Sequence, residues 1–117
     1  MTGKIEKLNA SLTEKLLLLE KAIGFELVVT SGRREPAKNL KAGGVKNSAH
    51  LPDENDEAVG VDVVCLESGK RFAIVFQALA LGFVRIGVGE TFVHLDLAVH
   101  LPQRMLWHYY PKKEKIK

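Results

Sequence analysis

Residues 83–97, FVRIGVGETFVHLDL, contain the pattern that decides the fold of this chain. Two runs rich in β-branched and aromatic residues, FVRIGVG and TFVHLDL, share the turn sequence GVGE and predict a β-hairpin. Because side chains alternate between the faces of a strand, His94 and Asp96 share one face, and Leu95 and Leu97 share the other. The hairpin is therefore predicted to have an apolar face and a face with two ionisable groups.

A second predicted strand carries another carboxylate in apolar surroundings. Asp62 lies within AVGVDVVCL, residues 58–66, and His50 lies in the polar segment before it. An unpaired carboxylate among apolar side chains has a large desolvation cost, so Asp62 requires a cation or several hydrogen-bond donors. Together with His94, these residues form a possible three-ligand zinc set with a fourth position for water. The ordinary alternative is a surface His50, a His94 bonded to backbone and an Asp62 paired with arginine.

The N-terminal region predicts a helix. Ser11 begins SLTE, which is a capping box completed by Glu14, and Gly24 is placed to end the helix as a left-handed cap. The apolar residues that can share one face of this helix are Leu17, Leu18, Ala22 and Ile23.

The remaining segments predict strands on either side of a second helix. Residues 25–32, FELVVTSG, predict a strand, and residues 33–57 predict a long polar loop of the kind that often carries function. Residues 71–83 predict a buried helix whose apolar face contains Phe72, Val75, Phe76 and Leu79. The aromatic stretch LPQRMLWHYY is interpreted as packing, with Trp107 against the body of the domain. This order predicts an α+β fold with a small, mostly antiparallel sheet and flanking helices.

Length and composition predict a single domain. The chain has 117 residues, of which 46% are apolar, and we expect one domain over residues 1–117 with a basic tail at 111–117. Cys65 is the only cysteine, which excludes an internal disulfide. The formal net charge of +3 lies largely in the tail, and no aromatic residues alternate with basic ones, so nucleic acid is not an expected partner.

No signal peptide or transmembrane segment is evident in the sequence. We therefore expect synthesis in the cytoplasm, and we expect a monomer.

Six motifs occur in one order between about residues 28 and 110: VTSGRR, NLKAGG, NSAH, VGVDV, GFVRIGVGETFVHLDL and LPQRMLWHYY. They resemble successive motifs of the zinc D-Ala-D-Ala carboxypeptidase family, particularly its small phage- and prophage-associated members. The superfamily also includes D,D-dipeptidases, L-alanyl-D-glutamate endolysins and the hedgehog signalling domain. The resemblance implies a hedgehog/D,D-peptidase-like fold.

The resemblance also implies roles for individual residues. His50, Asp62 and His94 match the family's zinc ligands. Arg34 matches the arginine that receives the terminal carboxylate of the substrate, and Ser48 matches a serine that helps to hold the same end of the peptide. A planar, permanently charged guanidinium suits bidentate recognition of a carboxylate.

The sequence departs from some relatives at a position that could supply the general base, the residue that takes a proton from water. Some of them have Glu or Asp three residues before the last histidine, whereas this chain has Thr91. Asp96 is our first choice because it shares a strand face with the last zinc ligand; Glu90 and His100 are alternatives. Asp96 could instead orient a metal ligand.

The function implied by the resemblance is that of a Zn²⁺-dependent peptidase acting on peptidoglycan stem peptides, of the D-Ala-D-Ala carboxypeptidase or endolysin type. A protein without a signal peptide would reach the cell wall through phage-type release. The alternative is a zinc-binding interaction module of the same fold that has lost catalysis, which the missing acid at Thr91 favours.

Overall fold

The computed structural model describes residues 1–35 and 48–111 and confirms an α+β fold. The NLKAGG motif and residues 112–117 of the predicted tail lie outside these ranges. No helix in the described part is long and apolar enough to span a bilayer. In chain order the elements are β1 Thr2–Gly3, α1 Ala10–Ile23, β2 Val28–Ser31, β3 Gly60–Val64, α2 Ser68–Ala80, β4 Arg85–Val88, β5 Phe92–Asp96 and β6 Met105–His108.

The strands form one six-stranded sheet in the order β1-β2-β3-β5-β4-β6. The inner pairs β2–β3, β3–β5 and β5–β4 are antiparallel, whereas the outer pairs β1–β2 and β4–β6 are parallel. The sheet is therefore mixed, and the prediction of a mostly antiparallel sheet is wrong. Both unpredicted edge strands are short, and each pairs with a strand distant in sequence, so no local turn pattern marks them.

The predicted hairpin forms, and it occupies the middle of the sheet. Strand β4 pairs with β5 so that Gly87 lies opposite His94, and β3 flanks β5 on its other side with Asp62 opposite His94. One cross-strand row therefore contains Asp62, His94 and Gly87.

The two helices pack against one face of the sheet and form the core with it. Their buried side chains spread over β-branched and leucine side chains of the inner strands, which fits a half-covered sheet with a strict alternation of faces. The core residues contributed by these elements are Leu12, Leu16, Leu19, Ile74, Ala78, Val61, Val63, Ile86, Val93 and Leu95. The opposite face carries Asp62 and His94.

The core-facing side of each helix differs from the prediction. In α1 the buried residues are Leu12, Leu16 and Leu19, while Leu17 and Leu18 are each 49% exposed. These five leucines lie on more than one side of the helix, so the apolar pattern alone does not select the side that packs.

Helix α2 is rotated in the same way relative to its predicted face. Its buried residues are Ile74 and Ala78, whereas Phe72, Phe76 and Leu79 are more than half exposed. This helix is apolar around most of its circumference, so contacts outside the apolar pattern decide which side faces the sheet.

Arg71 supplies such contacts for α2. Its guanidinium donates hydrogen bonds to the backbone carbonyls of Cys65, Gly89 and Glu90. These bonds fix the first turn of the helix against the ends of neighbouring strands.

The cap of α1 lies two residues before the predicted one. The side chain of Asn9 accepts hydrogen bonds from the backbone N–H groups of Ser11, at 2.9 Å, and Leu12, at 3.2 Å. Asn9 is therefore the N-cap, and Ser11 lies inside the first turn. The predicted C-terminal cap is confirmed, because Gly24 has φ 78° in the left-handed region.

Replacing the cap separates these two assignments. Asn9→Ala should lower the free energy of unfolding by about 1 kcal/mol because two amide donors lose their acceptor. Ser11→Ala is the matched control and should change it by less than about 0.5 kcal/mol. Urea denaturation of both variants measures the difference, and a larger loss in Ser11→Ala would contradict the Asn9 cap.

Candidate metal centre

His50, Asp62 and His94 converge on one point of the open face. Each offers a ligand atom, and these atoms all lie within 4.8 Å of one another. Asp62 Oδ1 is 2.8 Å from His94 Nδ1 and 3.4 Å from His50 Nε2. Both histidines are 5% exposed, and the side chain of Asp62 is 18% exposed. The three residues thus form a nearly buried cluster with an opening at the carboxylate.

Strand register positions two of the three side chains. Asp62 and His94 are directly opposed on the adjacent strands β3 and β5, with both side chains on the face away from the helices. Opposed side chains in a sheet lie within contact distance of each other, so this pair is set by the pairing itself.

The third residue, His50, comes from the segment that precedes β3. Its backbone N–H donates to the Ser48 hydroxyl oxygen at 3.1 Å, and its carbonyl accepts from the Arg34 N–H at 2.7 Å. A Cβ at Gly60 would lie 2.7 Å from the Ala49 Cβ, so the glycine lets this segment approach β3. The close approach brings the His50 ring over the sheet.

Hydrogen bonds leave the ring nitrogens of both histidines suitably arranged for a metal. His50 Nδ1–H donates to the Gly32 carbonyl oxygen at 2.8 Å, which directs Nε2 toward Asp62. His94 Nε2–H donates to Asp96 Oδ2 at 2.6 Å, which directs Nδ1 toward Asp62. A second partner on the far nitrogen is the usual arrangement for metal-binding histidines. Two imidazole nitrogens and one carboxylate oxygen are a donor set that zinc takes, so the residues present fit this ion.

The charge balance of the cluster favours a cation at its centre. Burial raises the pKa of Asp62, but hydrogen bonds from His50 and His94 outweigh it and hold the pKa well below the usual value. Burial also lowers the pKa of His94, yet its contacts with Asp62 and Asp96 outweigh it and raise the pKa. The two carboxylates thus stabilise positive charge on the ring between them, and a bound divalent ion would supply that charge instead.

Asp96 lies on the far side of His94 from the other ligands and has no exposed surface. Its Oδ1 accepts hydrogen bonds from Arg85 Nε at 2.8 Å and from the Ala98 N–H at 3.0 Å, while Oδ2 accepts from His94. Burial raises the pKa of Asp96, and the His94 and Arg85 contacts outweigh that effect and lower it. This geometry favours the alternative in which Asp96 orients His94, over the predicted role as general base.

The other predicted functional residues lie on segments next to β2 and β5. Arg34 Nη2 donates to the Ser31 hydroxyl at 2.8 Å, and Ser31 is paired with Asp62 across β2 and β3. Glu90 and His100 are exposed and lie just before and after β5. Their roles in substrate binding or proton transfer stay predictions.

Trp107 on β6 and Tyr109 just after it form an aromatic wall beside the cluster, whereas the sequence predicted only packing for this stretch. Trp107 does pack against the body of the domain, and its ring centroid lies 5.6 Å from that of His94. Tyr109 lies beside it, with ring centroids 6.3 Å from Trp107 and 5.0 Å from Phe92. Trp107 and Tyr109 are two residues apart, and residues at this spacing share one face of a strand. This spacing is the feature of the sequence that could have predicted the aromatic wall.

The aromatic wall has access to the cluster because Gly87 has no side chain. A Cβ at this position would lie 2.6 Å from both Trp107 Nε1 and Tyr109 Cε2. Burial and the charges of Asp62 and Asp96 raise the pKa of the Tyr109 hydroxyl. The negative charges of Asp62, in the cluster, and of Asp96, which binds His94, thus disfavour ionisation of the phenol.

A methyl group at Gly87 should displace this wall. In Gly87→Ala the emission of Trp107, the only tryptophan in the chain, should shift to longer wavelength because the indole moves toward water. Gly69→Ala is the control, since nothing lies within 4 Å of a Cβ added there. Fluorescence spectra of the folded variants test this, and identical spectra for Gly87→Ala and the wild type would refute the contact.

Comparison with known protein families identifies a related family. The sequence profile of the peptidase M15 family matches residues 2–96, a range that includes all three residues of the cluster. Searches of curated proteins and of solved structures give no match, so the hedgehog-like fold stays a prediction. The family match covers most of the chain and confirms the resemblance carried by the motifs. The protein belongs to the peptidase M15 family, that of the zinc D-Ala-D-Ala carboxypeptidases.

Proposed function

We propose that this protein is a zinc peptidase that hydrolyses peptide bonds in peptidoglycan stem peptides, as a D-Ala-D-Ala carboxypeptidase or an endolysin. The observation that carries the proposal is the convergence of His50, Asp62 and His94 in a chain of the M15 family. Each contributes one possible ligand atom, and the side chain of Asp62 is the most exposed of the three.

Zinc would be held by His50 Nε2, Asp62 Oδ1 and His94 Nδ1. When bound, it would polarise a substrate carbonyl and make water nucleophilic near neutral pH. The protein's own contribution is a dry site with fixed ligands: the Gly32 carbonyl orients His50, and Asp96 orients His94.

Substrate positioning is assigned to Arg34 and Ser48. Both lie next to His50 in the structure, through the Arg34 N–H and the Ser48 hydroxyl. A guanidinium there would bind the terminal carboxylate of a stem peptide and hold the scissile bond at the cluster. Proton transfer is assigned to a group exposed beside β5, with Glu90 and His100 as the candidates, because Asp96 has both oxygens occupied.

The second candidate function is a zinc-binding interaction module without catalysis. Two observations favour it: Thr91 stands where relatives have an acid, and Asp96 is fully buried. The two candidates share the metal centre and differ only in hydrolysis.

Zinc content tests the centre shared by both candidates. Wild-type protein should bind zinc, and His50→Ala should weaken binding by more than the roughly 10–100-fold that follows loss of an outer hydrogen-bond partner. His108→Ala is the control, because His108 is exposed on β6 and lies outside the cluster. Metal analysis after dialysis measures the difference, and unchanged zinc in His50→Ala would reject this ligand.

The Arg34 assignment can be tested through kinetics. Arg34→Ala should raise KM for a peptide ending in D-Ala-D-Ala while zinc content stays unchanged, because only the carboxylate contact is lost. Arg33→Ala is the matched neighbour, since Arg33 is bound to Glu35 and Asp56 and should leave KM near the wild-type value. Equal effects of the two substitutions would contradict the assignment.

A zinc-loaded wild-type protein that releases nothing from peptidoglycan or the peptide would favour the non-catalytic module.

A further inference from the structure

Arg85 is a buried arginine with apolar neighbours in the sequence, FVRIGV. These neighbours do not explain why a charged side chain lies inside the protein. Arg85 begins β4 and is 9% exposed. Its Nε donates to Asp96 Oδ1 at 2.8 Å, and its Nη1 donates to the Pro102 carbonyl oxygen. Its guanidinium carbon lies 5.0 Å from the ring centroid of Trp107. Two of these partners, Asp96 and Trp107, contact His94 directly.

The contact with Asp96 fixes which carboxylate oxygen faces His94. Arg85 Nε and the Ala98 N–H both donate to Oδ1, at 2.8 and 3.0 Å. The carboxylate plane is thereby held, and Oδ2 is left for His94 Nε2 at 2.6 Å. Without the guanidinium, one donor would remain on Oδ1, and the buried carboxylate would lose its arginine partner.

Arg85 also contacts Trp107, whose ring is a second neighbour of the His94 imidazole. The His94 ring has the His50 ring at 5.2 Å and the Trp107 ring at 5.6 Å between centroids. A guanidinium stacked on the indole keeps Trp107 in place through a cation–π contact. Arg85 therefore restrains two neighbours of His94 at once.

We propose that Arg85 is a positioning residue of the metal centre: by holding Asp96 and Trp107 it fixes the ring orientation and tautomer of His94, and so sets the zinc affinity. The inference rests on the proposed metal centre and assigns a role to a residue that does not touch the metal. Arg85 would act on a bound ion through two hydrogen bonds that Asp96 accepts, one from Arg85 Nε and one from His94 Nε2.

Arg71 provides a matched control within the same chain. It is also an arginine with several hydrogen bonds to the strands, and its acceptors are the backbone carbonyls of Cys65, Gly89 and Glu90. Its role in holding α2 is structural, and none of these acceptors is a ligand or a partner of His94. A substitution there removes similar bonds without altering the path to the cluster.

The experiment measures zinc affinity and stability separately for Arg85→Lys, Arg85→Met, Asp96→Asn and Arg71→Lys. The zinc dissociation constant is obtained by competition with a chromophoric chelator, and the stability of the metal-free protein by thermal unfolding. Arg85→Met and Asp96→Asn should each weaken zinc binding by roughly 10–100-fold, the range for loss of an outer partner. Arg85→Lys keeps the charge and loses the planar fork, so its affinity should lie between those of Arg85→Met and the wild type.

The Arg71→Lys control should lose stability, because it loses hydrogen bonds that hold α2. Its zinc dissociation constant should stay within about twofold of wild type, because none of its acceptors contacts His94. If Arg85→Met fails to fold, Arg85→Lys and Asp96→Asn carry the test alone. The double variant Arg85→Met/Asp96→Asn should bind zinc more weakly than Asp96→Asn, but by less than the product of the two single effects, because the two changes share the Asp96 path and only the Arg85 change removes the Trp107 contact.

The outcomes separate the two proposals. A wild-type protein that binds no zinc would overturn the metal centre and the role of Arg85 together. A wild type that binds zinc, with Arg85→Lys indistinguishable in affinity from Arg71→Lys, would overturn the role of Arg85 and leave the proposed function standing. Effects of Arg85→Met and Asp96→Asn that add fully in the double variant would likewise overturn the shared path.

Discussion

The pairing of β3 with β5 holds Asp62 against His94 in the middle of the sheet, and the other features of the open face are arranged around this contact. Two polar side chains at opposed positions of central strands would ordinarily lose their hydration without compensation. Here each has several partners inside the protein, so their burial is compatible with a folded domain. Asp62 contacts His50 and His94, and His94 also donates to Asp96. The Gly32 carbonyl oxygen in turn accepts from His50, and Arg85 donates to Asp96. The register of two strands therefore determines whether these residues meet.

Alternation of side chains explains why the sheet can combine this cluster with an ordinary apolar core. Val61 and Val63 on β3, and Val93 and Leu95 on β5, point toward the helices, while the residues between them point to the open face. A shift of one residue in register would place the carboxylate and the imidazole in the core and the valines in solvent. Stability of the core and geometry of the cluster thus depend on the same pairing, and the large cost of the alternative register protects both.

Local patterns in the sequence were sufficient for the hairpin and for the set of residues that converge. The hairpin follows from two β-rich runs around a glycine-containing turn, and the convergence follows from a carboxylate and an imidazole in apolar strands together with the family's motif order. The helix faces were not predictable in this way, because Leu17 and Leu18 are as apolar as Leu16 and Leu19, and tertiary contacts choose among them. The choice between Asn9 and Ser11 as cap also lay beyond local propensity, since both residue types cap helices well.

The role of Asp96 shows a different limit. Its position two residues after His94 places both on one face, but the sequence does not say that Arg85 faces it from the next strand, and that contact occupies the carboxylate. The edge strands escaped prediction for a related reason: their pairing is non-local, and the aromatic residues of β6 could equally have belonged to a packed chain end. Trp107 and Tyr109 acquire a position beside the cluster only once β6 is paired with β4.

Both residues of the His94–Asp96 pair have glycine as a cross-strand neighbour: Gly87 is opposite His94, and Gly60 is opposite Asp96. On this face the sheet therefore has two positions without a side chain, and neighbouring residues fill the space at both: Ala49 at Gly60, and Trp107 and Tyr109 at Gly87. A single methyl group at either position would meet a neighbour at less than 3 Å, from the aromatic wall at one and from Ala49 or Asp96 at the other. Attempts to redesign this face would accordingly have little freedom at these two glycines, and variation would have to come from the surrounding segments.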